Sequence, residues 1–189
     1  MPQKITDVEK ATFLDRTTEL FHRAKNGTVP MSEVLAGLQK LIEGNFGLKI
    51  VDLDADPFIP EGWKVLPEDQ LPNAIKGLLA FDPAKLGLHL SKKQEGNGRI
   101  EGNKLREELN DQPVVNANLL DWLYRKENQH LIPDEWKGKA VFFWGTIYRG
   151  ADGSLCVRFL DWFGGGWCWS YRWLGRVWFS VNPAAVSAS

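Results

Sequence analysis

Cysteine and net charge are both scarce in this chain of 189 residues, and each shortage excludes a class of protein. Cys156 and Cys168 alone cannot form a disulfide framework. They are either one bridge between neighbouring strands or, as we expect, two free thiols in a reducing compartment. A formal net charge of -1 gives no reason to expect nucleic acid or an anionic membrane as the partner.

Long hydrophobic segments are lacking as well. No apolar run approaches the roughly 20 residues that a membrane-spanning helix needs. The polar segment 1–10 does not contain the apolar core of a signal peptide. We therefore expect a cytoplasmic product, with non-standard export as the open alternative.

The sequence also lacks the motifs that carry catalysis or hold a cofactor. The three histidines lie far apart, and there is no His-Glu-x-x-His, Cys-x-x-Cys, phosphate loop or nucleophile elbow. Asp52, Asp54 and Asp56 have the spacing of calcium ligands, but the positions for the loop's glycine and bidentate glutamate hold Pro57 and Trp63. We therefore expect neither an enzyme nor a bound metal or cofactor.

Hydrophobic periodicity predicts an α+β protein with a helical N-terminal half, a mixed middle and an antiparallel β-rich C-terminal module. Helices are predicted at 6–25, 32–43, 102–109 and 116–126. Strands are predicted at 48–53, 63–66, 86–90, 140–149, 155–163, 167–174 and around Trp178. Residues 67–85 read as a linker with a short helical turn, and the tail after Pro183 has no marked pattern. We expect an accessory region at 1–85 and an α+β module at 86–189.

Tryptophan, in contrast, is abundant near the C-terminus. Trp167, Trp169, Tyr171 and Trp173 fall on one face of a predicted strand, because strand side chains alternate with period two. The residues between them share no chemistry. A compact aromatic core would explain the rings, and so would a platform for sugars. A stacking surface for nucleic acid is disfavoured by the neutral charge.

A fourth interpretation comes from the genetic code. Glycine, cysteine, serine, arginine, phenylalanine, valine and aspartate can each be reached from the asparagine codon AAC by replacing only adenines. Tryptophan, leucine and proline have codons without adenine, and Asn182 would be an AAC left unchanged. This pattern is typical of adenine-directed mutagenesis. The candidate variable residues, as they are called below, are those that fit it between the fixed aromatics, together with three on the preceding predicted strand: Phe159, Asp161, Phe163, Gly166, Cys168, Ser170, Arg172, Gly175, Arg176, Val177, Phe179 and Val181.

The segment 167–186 resembles the variable region of target proteins of diversity-generating retroelements, as found in uncharacterised families of ultra-small bacteria. In those systems a reverse transcriptase copies a template repeat with errors at adenines. The segments 88–94, 102–109, 116–121 and 131–149 are similar to the constant part of those families. The resemblance covers most of the chain from about Leu38 onward, and it implies a diversified β-region at about 139–183.

The resemblance implies a protein that recognises a macromolecular ligand, most simply another protein, without catalysis. Characterised proteins of this kind mostly display their variable residues on a C-type-lectin-like fold. This chain lacks that family's calcium-site triplets and disulfides, so a small antiparallel sheet or barrel of its own is the alternative fold. A carbohydrate-binding module or a structural protein without diversification is the alternative function.

A diversified surface needs a rigid support. We expect the scaffold to consist of Trp144, Trp162, Trp167, Trp169, Trp173 and Trp178. Substitutions at exposed positions then cost within about 0.5 kcal/mol, so recognition can change without loss of the fold. Burial of Trp167, Trp169 and Trp173 beside exposed variable residues would agree with this hypothesis, whereas tryptophans exposed in a row would favour the sugar platform.

Overall fold

The computed structural model describes residues 6–42 and 49–187. Contacts divide the chain into two compact units, with the boundary between Leu48 and Lys49. The expected boundary after residue 85 lies within the second unit. The end of the predicted second helix and the start of the predicted strand at 48–53 fall outside the described residues.

The first unit contains two helices, α1 (Asp7–Lys25) and α2 (Met31–Ile42). The chain turns between them at Gly27, which has a φ of 72°. Val34 on α2 is buried, but Phe13 and Leu14 on α1 are each 63% exposed. Large apolar side chains are therefore exposed along much of α1.

The second unit is a mixed α+β structure. Its helices are α3 (Gly102–Glu108) and α4 (Ala117–Tyr124). Its strands are β1 (Ile50–Asp52), β2 (Leu78–Ala80), β3 (Leu86–His89), β4 (Arg99–Glu101), β5 (Val141–Arg149), β6 (Leu155–Phe163), β7 (Gly166–Trp173), β8 (Val177–Phe179) and β9 (Ala184–Ser187). Five of these strands form one sheet in the order β3-β9-β5-β6-β7, while β1 pairs with β2 and β4 with β8.

The central strand β5 is covered on both faces. Leu119, Leu120 and Leu123 of α4 belong to the apolar cluster on one face, and Trp178 of β8 belongs to the cluster on the other. Residues 141–148 are buried without interruption. This explains why the sequence of β5 is apolar on both sides of its alternation.

A β-bulge corrects the predicted alternation within β5. The pairing with β6 shifts between Phe142 and Ile147, so that Ile147 pairs with Val157 and shares a face with Phe142. Four residues of β5 separate the two pairs but only one residue of β6 does, and this odd excess of three residues exchanges the faces of β5. Gly145 lies within the shift, where an added Cβ would come within 2.7 Å of the backbone nitrogen of Asn116.

Three strands, β2, β4 and β9, lie where none was predicted. The tail forms β9, which pairs antiparallel with β3 and meets β5 in parallel at Phe142 and Ala184. Its small side chains gave no strand signal, because β-propensity reflects packing more than intrinsic preference. The supposed linker contains β2. The predicted strand at 63–66 is reduced to one bridge between Lys64 and Arg149.

A buried ion pair joins α4 to β6. Nη2 of Arg158, a residue only 1% exposed, lies 2.8 Å from Oδ1 of Asp121. The other carboxylate oxygen of Asp121 accepts a hydrogen bond from the backbone N–H of Phe58 at 3.1 Å. The guanidinium also lies 4.2 Å from the ring centroid of Trp169. One charged group thus ties together α4, β6, β7 and the segment around Phe58.

We predict that Asp121→Asn destabilises the protein by about 3 kcal/mol, because it leaves the buried charge of Arg158 without its counter-ion. Urea unfolding followed by tryptophan fluorescence measures the change. Asp134→Asn is the control, since it removes the exposed pair with Lys137 and should cost less than about 1 kcal/mol. Equal effects of the two substitutions would contradict the structural role of the buried pair.

Candidate functional site

The strands β6 and β7 form a regular hairpin. Gly164 and Gly165, with φ angles of 62° and 83°, make the two-residue turn, and both angles fit a type I′ turn. The register runs without a bulge from Cys156 opposite Trp173 to Phe163 opposite Gly166. Since paired residues share a face, the register assigns every side chain of the hairpin to one of two faces.

The tryptophans of β7 occupy the face that packs inward. Trp167 is buried, while Trp169 and Trp173 are half-buried. Trp169 lies over Arg158, and Trp63 lies 6.0 Å from Trp173 between ring centroids. The three rings are therefore not exposed in a row.

The other scaffold tryptophans differ in burial. Trp144 and Trp178 are fully buried, with ring centroids 4.8 Å apart. Trp162 is 38% exposed, and it contacts the edge of Trp167 and the ammonium of Lys137. Trp162 is opposite Trp167 next to the hairpin turn, where less of the protein is available to cover it.

Candidate variable residues line the opposite face of the hairpin. On β7 this face consists of Gly166, Cys168, Ser170 and Arg172, which pair with Phe163, Asp161, Phe159 and Val157 of β6. Phe163 is 79% exposed. Phe159 is half-buried against Phe142, with ring centroids 4.7 Å apart, so it also contributes to the core.

The segment around β8 carries the remaining candidate variable residues. Trp178 points into the core, so its neighbours Val177 and Phe179 point outward and are 37% and 42% exposed. Nη1 of Arg172 donates a hydrogen bond to the carbonyl oxygen of Val177 at 2.9 Å. This bond links the face of β7 to the β8 segment.

Asn182, which the codon pattern leaves unchanged, is buried beneath this segment. Its Oδ1 accepts a hydrogen bond from the backbone N–H of Phe179 at 3.0 Å. The side-chain amide of Gln94 donates to the carbonyl oxygens of both Phe179 and Asn182. The sequence did not single out Gln94, because a glutamine in a polar loop carries no signal of its distant partners.

All the candidate variable residues lie within the described residues, and the structure leaves each of them at least partly accessible. The half-buried members are Phe159, Asp161, Gly166, Cys168 and Arg172. The exposed members are Phe163, Ser170, Gly175, Arg176, Val177, Phe179 and Val181. Together they form the surface of the β6–β7 hairpin that faces away from α4 and the outer side of the β8 segment.

Both cysteines are free and lie on opposite faces of the hairpin. The thiol of Cys168 lies 2.9 Å from Oδ1 of Asp161, and this hydrogen bond is the main reason that its pKa rises to about 11. Burial raises the pKa of Cys156 to about 12. Both thiols are thus protonated at neutral pH.

Within the described residues, no group of three or more metal-binding side chains is arranged to hold an ion. None of the helices in this part of the chain has the length and apolar character that crossing a bilayer requires. Comparison with protein-family models, curated proteins and solved structures gives no match to the chain.

We predict that Asp161→Asn makes Cys168 react at least about tenfold faster with a maleimide at pH 8. Asparagine carries no negative charge and its amide can donate to the thiolate, so the preference for the protonated thiol is lost, the pKa of Cys168 falls and the thiolate fraction rises. Mass spectrometry of the labelled peptides measures the rate. Cys156 is the internal control, because its raised pKa is due mainly to burial. An unchanged rate at Cys168 would contradict the assigned role of Asp161.

Proposed function

We propose that this chain recognises a macromolecular ligand, most simply a protein, through a diversified surface made of the candidate variable residues. In this proposal the chain is the variable protein of a diversity-generating retroelement and performs no catalysis. The C-type-lectin-like fold implied by the resemblance belongs to the same proposal. The support comes from accessibility, because each proposed variable position is exposed or half-buried.

The glycines of the hairpin region carry this argument. The codon pattern includes Gly166 and Gly175, and an added Cβ at either would meet no heavy atom within 4 Å. Neither has a positive φ. Gly164 and Gly165 are not candidate variable residues, and their positive φ angles disfavour every other residue type. The codon rule admits glycine at all four positions, so it is the backbone that distinguishes the two pairs.

The two faces of the hairpin support a separation of recognition from stability. Trp167 and Trp169 pack inward, so accessible side chains on the other face of the hairpin can change with little effect on the core. Phe159 departs from this separation because it packs against Phe142. We therefore infer that variation at Phe159 is limited to side chains that preserve this contact.

A sugar platform has less support. Such a site uses aromatic rings that are exposed in a row, but Trp167 is only 8% exposed and Trp169 lies over Arg158. The exposed rings of Trp162 and Phe163 belong to opposite faces of the hairpin. They do not form a single flat platform.

The gene itself tests the proposal. We expect a nearby near-repeat of the segment 159–186 with AAC at the codons of the candidate variable residues, together with a reverse-transcriptase gene. The codons of Trp167, Trp169 and Trp173 should be identical in both copies and serve as the internal control. A repeat that differs from the gene at bases other than adenine would overturn the proposal.

We also predict that Gly166→Ala and Gly175→Ala change the free energy of unfolding by less than about 0.5 kcal/mol. Gly164→Ala and Gly165→Ala should each destabilise the protein by at least about 1 kcal/mol, because alanine disfavours a positive φ. Urea unfolding of the four variants gives the comparison. Large losses at Gly166 or Gly175 would show that these positions cannot vary freely.

Binding is tested with a library of the full chain displayed on yeast and randomised at Ser170, Arg176, Val177 and Val181. We expect most members to remain folded and some to bind protein targets that the parent does not bind. A control library randomised at the buried residues Leu105, Leu109, Leu160 and Leu174 should lose display and yield no binders. A surface library that folds but yields no binders to any target would contradict the recognition function.

A further inference from the structure

The strand β7 is the last strand of the five-stranded sheet, and within residues 6–42 and 49–187 it pairs on one side only, with β6. It has eight residues and contains neither proline nor lysine. Its pairing with β6 has no bulge, and Arg172 is its one charged residue. Proteins usually protect such an edge with proline, lysine, bulges or a short strand. The edge of β7 has none of these protections.

The hairpin geometry identifies the backbone groups that this edge presents. Phe163 and Gly166 close the two-residue turn and are a hydrogen-bonded pair. Bonded and non-bonded pairs alternate along an antiparallel ladder, so Cys168 and Ser170 also bond to β6. The N–H of Leu174 donates to the carbonyl of Leu155 at 2.8 Å, which agrees with this assignment.

The peptide groups of Trp167, Trp169 and Tyr171 therefore point away from β6. In the described part of the chain, neither a backbone group nor a side chain forms a hydrogen bond with them. They are spaced two residues apart, as the backbone of an added strand requires. The edge can thus accept another strand through its main chain.

We propose that the ligand docks by adding an extended segment of a partner protein to the open edge of β7. This inference rests on the proposed function and assigns a class of partner to the same surface. Main-chain hydrogen bonds to Trp167, Trp169 and Tyr171 provide affinity that does not depend on the variable residues. Alternate side chains of the added strand lie beside Cys168, Ser170 and Arg172, which provide specificity.

Charge indicates the kind of segment that fits this sequence. Arg172 and Arg176 lie near the end of β7, and Arg176 is exposed. Among the described residues, the one hydrogen bond of the Arg172 guanidinium goes from Nη1 to the carbonyl of Val177, and the group lies 6.0 Å from the ring centroid of Trp178. The carboxylate of Asp161, on the same face, accepts a hydrogen bond from the thiol of Cys168. An acidic side chain opposite Arg172 therefore has guanidinium donors available to it.

The first test uses the full chain and a phage library of random peptides of about twelve residues, long enough to span β7. Amide hydrogen exchange is measured with and without the recovered peptides. In the free chain Trp169 and Tyr171 should exchange quickly, while Cys168 and Ser170 are protected by β6. Bound peptides should contain Asp or Glu and should protect Trp169 and Tyr171.

The second test removes one outward donor. Cys168 allows ligation of a synthetic segment 168–189, in which the amide of Tyr171 is methylated. This should weaken binding of the recovered peptides by about tenfold, because one main-chain hydrogen bond is lost. Methylation of the amide of the exposed residue Val181 is the matched control and should leave affinity within about twofold.

Each contrary result has a separate meaning. Binders from the surface library that leave Trp169 and Tyr171 unprotected would overturn strand addition while the proposed function stands. Failure to recover any peptide from the phage library would also overturn it. Protection of these amides in a dimer of the chain alone would show that a second copy occupies the edge. If peptides protect these amides but the gene has no template repeat nearby, the docking mode stands and the proposed diversification is overturned.

Discussion

Side chains alternate across β7, and this geometric constraint separates the side chains of the hairpin that pack inward from those that remain accessible. Trp167 and Trp169 belong to one face and pack inward, whereas Cys168 and Ser170 belong to the other and remain accessible. A helix would separate buried from accessible positions less sharply, because its buried stripe covers a broad arc of the helix surface and several positions lie at its border. The strand makes this separation with every second position.

A buried arginine packs against the face of the hairpin that carries Trp167 and Trp169. Arg158 lies between Trp169 and Asp121, so the indole ring rests on a side chain that is held by an ion pair. A buried charge is costly unless it is paired, and this cost restricts the arrangement to one geometry. The segment around Phe58 also belongs to this arrangement, since the backbone N–H of Phe58 donates a hydrogen bond to the carboxylate of Asp121. The rigid side of the hairpin therefore depends on residues far from it in sequence.

The sequence predicted the hairpin well because local signals determine it. The predicted strand at 155–163 coincides with β6, and Gly164 and Gly165 form the turn that their residue type indicates. The strand β9 could not be predicted in this way. Its residues Ala184 and Ala185 are weak strand formers, and they form a strand because β3 and β5 lie on either side of them.

Long-range contacts of the candidate site could not be predicted from the sequence either. The accessible face could be predicted from alternation alone, but Trp63 and Gln94 reach the site from distant segments without a local pattern. The bulge in β5 also escaped prediction, because both faces of that strand are apolar and a shift that exchanges the faces leaves the pattern unchanged.

The open edge of β7 needs a constant backbone, whereas the proposed variable face of the same strand needs side chains that can change. Replacement of adenines in AAC never produces lysine, so the residue that most often protects an edge cannot arise at the variable positions of β7. Proline can arise, through the codon CCC. At Cys168 or Ser170 it would remove an N–H that bonds to β6, so such variants would lose part of the ladder. The candidate variable positions of β7 are therefore tolerant in side chain and strict in backbone. The proposed diversification changes the side chains next to the proposed added strand while the main chain of the edge stays available for pairing.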